Sequence, residues 1–421
     1  MADLLALSSR VIDSGVVDEP INRITNELSE VADGLAVVES FSHSVVLDAG
    51  DGLVAFDASH ARTGPDVVAA IRGWTSTPVS HLVYTHGHAD HVGGSRDFAG
   101  AFGDIAVVGH RKVDERFDRY AYTNDWNVLI NARQFGGVRG DFGMGDGRPD
   151  FIPTNTLRPD HIVDDHDVLS VGDRTIELHH ARGETDDHLW GWMPEEKWAF
   201  VGDFVIWNFP NAGNPQKVQR YPIEWAAALR SMIEHGPELL LPAHGLPIEG
   251  RERIAAVLDD IAGALERLVA EVVDMMNAGE VLDTIVHSVT VPADVLAKPY
   301  LRPLYDEPEF VVRGIWRQFG GWWDGAPSRL KPAPDAAVAG ELAELAGGPT
   351  VLIDRAMQLT EEGDFRLACH LADLAGWAAA TDPGIHATRA IIYRARRQSE
   401  ASLMAKGIYA GAARESEAIS G

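Results

Sequence analysis

Up to about residue 250, short apolar runs alternate with segments of helical periodicity. Leu35–Val38, Val45–Asp48 and Leu53–Asp57 read as strands. The last two join across Asp51 and Gly52, a dipeptide suited to a tight hairpin. Val67, Val68, Ile71 and Trp74 recur at helical spacing within Pro65–Trp74. Strands follow at His81–Thr85 and Ile105–Gly109, and the charged, aromatic stretch Arg111–Phe135 reads as helical. Residues 136–160, rich in Gly, Pro, Asp and Asn, are expected to form a long irregular loop, a common carrier of function. Strands return at Val168–Ser170, Thr175–His179, Leu189–Met193, Ala199–Gly202 and Leu239–Leu241, with a helix at Glu224–His235.

The texture changes after Gly250. Apolar positions 254, 257, 258, 261, 265, 268, 269 and 272 form one stripe of a long amphipathic helix, Arg251–Asn277. Leu282–Val289 and a proline-rich connector lead to a helix at Glu309–Gly320. The Ala-rich remainder predicts helices at Ala336–Leu345, Thr350–Glu362, Phe365–Ala380 and Gly384–Lys406, broken at Gly363 with Asp364 and at Asp382 with Pro383. The expected division is therefore an α/β domain over residues 1–250 and an all-helical domain over 251–421.

Composition narrows the function. The chain is 45% hydrophobic and 24% charged, ordinary for a soluble globular protein. No apolar run approaches the roughly 20 residues of a membrane-spanning helix. The N-terminal stretch lacks a basic region and Asp3 interrupts its apolar residues, so no cleaved signal is expected and a cytoplasmic location is. One cysteine, Cys369, excludes an intrachain disulfide framework and a Cys-rich zinc module. A net charge of −27 argues against general nucleic-acid binding, which needs a basic footprint.

The histidines point to chemistry. His86, His88, Asp90 and His91 follow a predicted strand directly, on a tight loop that ends in Gly93 and Gly94. On an extended loop His86 and His88 alternate and can share one ion, while Asp90 and His91 turn toward a second. Imidazole with carboxylate suits Zn²⁺, and also Mn²⁺ or Fe.

His-x-His-x-Asp-His over residues 86–91 resembles the signature of the metallo-β-lactamase fold superfamily, as the earlier hairpin over 45–57 resembles that superfamily's first. The resemblance implies a four-layer αββα sandwich with metals at the edge of its two sheets. It also implies ligands from later loops: Glu184 after Gly183, Asp203 after Gly202, and His244 before Gly245. On this reading His86, His88 and Glu184 hold one Zn²⁺, and Asp90, His91 and His244 hold the other. Asp203 bridges the two and orients a hydroxide, which makes Asp90 and Asp203 the expected catalytic carboxylates. Most members have histidine where Glu184 stands; His179, His180 and His188 are the alternative ligands. A carboxylate at this position resembles the alkylsulfatase branch. So does the segment Val312–Pro327, with Trp316, Trp322 and Trp323, which is similar to the signature of the alkylsulfatase dimerisation domain. A homodimer joined through the helical half is the implied assembly.

For the substrate anion, Asn131, Arg133, Lys217 and Arg220 are the cationic and amide candidates, and Trp207 with Phe135 and Phe209 would line an apolar pocket. The first expectation is sulfate-ester hydrolysis with two Zn²⁺ per chain. Secreted alkylsulfatases carry a signal peptide and a sterol-carrier-like domain, neither of which is recognised here, so short or medium secondary alkyl sulfates are expected. The alternatives are hydrolysis of another ester, thioester, lactone or phosphodiester, an iron oxidoreductase, and a non-catalytic assembly protein.

Overall fold

The computed structural model describes residues 3–135 and 150–421. Residues 136–149 of the expected long loop lie outside the described residues; residues 150–160 carry neither helix nor strand. Among the described residues the chain divides into two compact units. The first comprises those within Met1–Asn127, Arg148–Glu280 and Thr284–Phe319; the second, those within Val128–Gly147, Val281–Asp283 and Gly320–Gly421.

The first unit is built on two sheets. One runs, in chain order and in spatial order, β1 (Leu28–Ala32), β2 (Leu35–Val38), β3 (Ser44–Asp48), β4 (Leu53–Phe56), β5 (Val79–Val83), β6 (Ala106–His110) and β7 (His161–Val163). The first four are antiparallel, and the expected turn at Asp51 and Gly52 joins β3 to β4. From β4 onward the pairing is parallel. A parallel neighbour needs a crossover, which the helix Gly64–Trp74 provides between β4 and β5. The second sheet contains β8 (His166–Val171), β9 (Arg174–His180), β10 (Leu189–Met193), β11 (Trp198–Gly202), β12 (Leu239–Pro242) and β13 (Ile248–Glu249), ordered 13-12-11-10-9-8. Its parallel step, β11 to β12, is bridged by the helix Pro222–His235.

The inner faces meet through stacked rings: Phe56 of β4 and Phe200 of β11 lie 4.1 Å apart, with interplanar angle 7°. The helices Gly64–Trp74 and Ser95–Phe102 cover the first sheet, packing Val67, Ile71 and Phe98 with Val46, Leu82 and Val107. On the second sheet the helix Pro222–His235 packs beside Arg251–Asn277. That long helix buries Ile254, Leu258, Ile261, Leu265 and Leu268, and its Glu266 takes a two-pronged hydrogen bond from Arg230 at 2.8–2.9 Å. It therefore sits with the sandwich although it lies past residue 250.

The second unit packs helices Asp335–Ala346, Pro349–Glu362, Phe365–Ala378, Pro383–Ser399 and Leu403–Ser420. Its punctuation is chemical. Gly363 closes one helix in the left-handed region at φ 85°, and Asp364 opens the next by accepting the Leu367 N–H. Asp382 accepts the Gly384 and Ile385 N–H groups, with Pro383 in the first helical turn. The expected helix Gly384–Lys406 is in fact two. Ser402 accepts the Ala405 N–H at 3.3 Å and starts a new helix after the break at Glu400.

Candidate metal centre

The ends of several strands converge at one edge of the sandwich. Strand β5 stops at Val83, and Thr85 turns its N–H and hydroxyl to the two oxygens of Asp57, each at 2.7 Å. The residues that follow, His86 to His91, therefore leave the sheet as a loop pinned at its root. A short helix, Ala89–Val92, then turns Asp90 and His91 inward. Asp57 holds a left-handed conformation, φ 61°. Its carboxylate also accepts Nδ1–H of His91 at 2.7 Å, the tautomer that leaves Nε2 as a donor to a metal. A second clamp acts in the middle of the loop. Asp187 accepts the Gly87 N–H at 3.1 Å and the Nε–H of buried Arg116 at 2.7 Å.

The other donors come from loops of the second sheet. Gly202 ends β11 at φ 50°, where a Cβ would lie 2.7 Å from both Thr85 and His188, and this close approach delivers Asp203. His188 is spent on the same turn: its Nε2 accepts the Asp203 N–H at 3.2 Å. His244 follows β12. Its loop is fixed by His43, which donates to the Gly245 carbonyl at 2.7 Å, and by Trp207, which donates its indole N–H to the Leu246 carbonyl at 2.8 Å. Glu184 is 4% exposed, takes a hydrogen bond from Asn211 and lies 3.3 Å from the Arg220 guanidinium.

Three triads of donors each have their ligand atoms within 4.8 Å of one another: His86, His88 and Glu184; Asp90, His91 and His244; and His86, His91 and Asp203. His91 and His244 approach Asp203 at 3.5 and 3.6 Å, and both approach Asp90, at 3.7 and 3.5 Å. The Nε2 of His91 and Oδ1 of Asp203 are buried with no hydrogen-bond partner among the described residues. Such groups are costly unless something satisfies them. Burial alone would raise Asp203, yet His244 and His91 hold it well below the usual carboxylate range. Glu184 is pushed the other way, first by burial and then by crowding from Asp203, with Arg220 opposing. Carboxylates crowded against imidazole nitrogens fit divalent cations, which would take the place of the protons that His91 and His244 hold more tightly beside Asp203 and Asp90, and the donor set suits Zn²⁺.

The seven expected ligands are thus brought together. The alternatives to Glu184 are placed elsewhere: His180 binds the Asp186 carbonyl at 3.0 Å and stacks on His110, and His179 lies in a different cluster. Of the expected substrate residues, Arg220 also donates to the Glu184 carbonyl and is 3% exposed, so it braces a candidate ligand. Lys217 sits over the Phe151 ring at 5.1 Å. Burial, with Arg220 as the next cause, brings its ammonium down to about 7. Trp207 is 1% exposed and packs under the His244 loop. Asn131 and Arg133 belong to the second unit, where the backbone of Arg133 and Gln134 abuts Gly407. Asp57, Asp187, Arg116 and Asn211 are support residues that motif reading passed over. Tyr305 is another: burial raises its hydroxyl, and Glu184 and Asp90 are the next causes.

Residues 37–244 match the metallo-beta-lactamase superfamily, and residues 281–418 match the alkyl sulfatase dimerisation family. The chain joins a metallo-beta-lactamase domain to an alkyl sulfatase dimerisation domain. It is 26% identical over 358 residues to a linear primary-alkylsulfatase of Pseudomonas sp., covering 80% of this chain and 66% of that protein. It is 24% identical over 344 residues to an alkyl/aryl-sulfatase of Saccharomyces cerevisiae, covering 76% and 52%. The structure of a stereoselective inverting sec-alkylsulfatase from Pseudomonas sp. superposes with TM-score 0.82 at 21% identity, over 93% of this chain and 66% of that one. The chain spans about half to two-thirds of the length of these curated relatives. The dimerisation match overlaps the first unit over Thr284–Phe319, and Tyr305 within that overlap feels the charges of Glu184 and Asp90.

Proposed function

We propose that this metallo-beta-lactamase-fold protein hydrolyses a sulfate ester, with secondary alkyl sulfates as the first choice, and that it holds two Zn²⁺ ions per chain. The observation that carries this reading is the pair of donor triads, His86 with His88 and Glu184, and Asp90 with His91 and His244, with Asp203 close to both imidazoles of the second. Bound there, zinc supplies a water acidified toward neutral pH and a Lewis acid for the ester. Asp203 would orient the attacking oxygen. Asp57 and Asp187 hold the histidine loop so that little reorganisation accompanies the reaction. Lys217 would meet the anionic head of the substrate, since the candidate ligands Asp90 and Glu184 act electrostatically on its buried ammonium. With a protein of charge −27, capture of an anion rests on such local donors rather than on long-range attraction.

The relatives named as alkylsulfatases support the substrate class; the match to the dimerisation family supports a homodimer formed through the helical half. Exposed apolar residues there, among them Leu345, Leu342, Val351 and Trp377, give such an interface material. The test is a hydrolysis panel on zinc-loaded protein. Secondary and primary alkyl sulfates of several lengths stand beside a thioester, a lactone and a phosphodiester, with metal analysis of the same sample. Sulfate release with about two zinc per chain is expected. Turnover of a thioester alone would move the chain toward the thioesterase relatives, one of which is 23% identical over 212 residues.

A further inference from the structure

A second group of imidazoles lies on the outer strands of the second sheet. His166 of β8 and His179 of β9 are direct cross-strand partners, and Glu177 precedes His179 by two positions. Side chains two apart on a strand share a face. His166, Glu177 and His179 therefore stand together, while His180 turns to the opposite face and the Asp186 carbonyl. One ligand atom from each of the three lies within 4.8 Å of the others.

The group is held in place. The His179 ring stacks on Trp190, its register partner on β10, at 4.4 Å and 16°. His235, at the end of the helix Pro222–His235, meets His179 edge-on at 5.4 Å. The Nε2 of His179 is buried and makes no hydrogen bond among the described residues; the Glu177 carboxylate approaches it at 3.5 Å. Burial, then the neighbouring imidazoles of His166 and His235, lowers the proton affinity of His179, with Glu177 opposing. A neutral ring is the form that ligates.

The geometry points to a peripheral site for a borderline divalent transition-metal ion, Zn²⁺, Cu²⁺ or Ni²⁺, ligated by His166, Glu177 and His179. Two imidazoles and one carboxylate suit these ions and not Mg²⁺ or Ca²⁺, which prefer all-oxygen sets. Because β8 closes this sheet, an ion shared with β9 fastens an edge strand to its neighbour. The site is separate from the central donors and does not depend on which ester the protein cleaves.

The wild-type chain, H166A and E177Q are compared, since His166 is exposed and its loss leaves the core intact. Zinc bound per chain is measured by equilibrium dialysis across a buffered zinc series. Cu²⁺ added to zinc-loaded protein is read by electron paramagnetic resonance. Wild type is expected to bind one more equivalent than H166A, in a weaker class, with Cu²⁺ hyperfine structure from two imidazole nitrogens. E177Q is expected to weaken that class by about tenfold or more, as even outer-sphere partners of metal ligands do. Equal zinc stoichiometry in wild type and H166A, or a Cu²⁺ signal unchanged in H166A, would overturn the site.

Discussion

The interior of the first unit, at its sheet edge, gathers His86, His91, Asp57, Glu184, Asp187, His188 and Asp203, each no more than 5% exposed. The interior of the second unit gathers Ile353, Ala356, Leu359, Ala368, Ala372, Ala375, Ile385 and Ile392. One region concentrates charge that a folded chain normally avoids burying. The other is a close-packed layer of small side chains whose stability is a matter of volume. A charge change should therefore be felt in the first region through bound metal, and a volume change in the second through stability alone. Substitutions in each test whether the two respond separately.

The largest effect belongs to the ligands. His86→Ala and Asp90→Ala are expected to abolish ester hydrolysis and to lower metal content, measured on purified protein by elemental analysis. Full occupancy with normal turnover in either variant would sink the constellation. Next comes Asp57→Ala, which removes no expected ligand but frees the His91 ring and the Thr85 turn. Loss of such an outer partner costs about 10–100-fold in metal affinity, to be read by competition with a chelator. Unchanged affinity would mean that the loop holds its shape without Asp57.

In the second region, Ala372→Leu adds volume at a site with no exposure, against Ala368 and Ala375. Overpacking of this kind costs about 1–3 kcal/mol, seen as a lower melting temperature of the helical unit. Metal content is expected to stay unchanged, and a loss of metal in this variant would join the two regions that the comparison separates.

The sequence carried the two regions differently. The central candidate ligands stood out because metal chemistry demands particular side chains at fixed spacing, as in His86, His88, Asp90 and His91, and the fold brings their donor atoms together. Strand alternation and the Asp51–Gly52 turn likewise revealed β3 and β4, and Gly363 and Asp382 marked helix ends by capping chemistry. The residues that hold the ligands were not legible. Asp57, Asp187 and Arg116 are far from the motif in sequence, and only the close of β4 against β5 and the Arg116–Asp187 pairing bring them to it. For Asp57 and Asp187 the signal is an Asp close to a strand end, which is also an ordinary turn residue. The N-terminal helix Leu4–Ser14 was hidden by Asp3, read as a break in an apolar stretch although it caps the helix by accepting the Ala6 N–H. Ser402 concealed a helix start in the same way.

The smallest effect turns on two buried aspartates of the first unit with opposite fates. Asp203 is held low because His244 and His91 face it. Asp306 has no exposure, and burial pushes it up to about 7 even though it accepts the Gly213 and Glu307 N–H groups, at 2.7 Å each. Its carboxyl is easier to protonate in the folded chain than in the unfolded one, where the ordinary value is 3.8. Between those values the native state binds a proton that the unfolded state has released. Stability from this group is therefore complete below the unfolded value, falls as pH rises toward about 7, and is flat above. Asn in place of Asp306 carries no charge at any pH, but it keeps one acceptor oxygen where the carboxyl offers two, so one of the two N–H groups loses its acceptor whatever the pH. Asp306→Asn is expected to lie below wild type near pH 4 by the cost of the lost acceptor and to gain on it progressively up to pH 8, measured as the difference in melting temperature across the series. A difference that stays constant over that range would show that Asp306 is ionised throughout, satisfied by its two backbone donors alone.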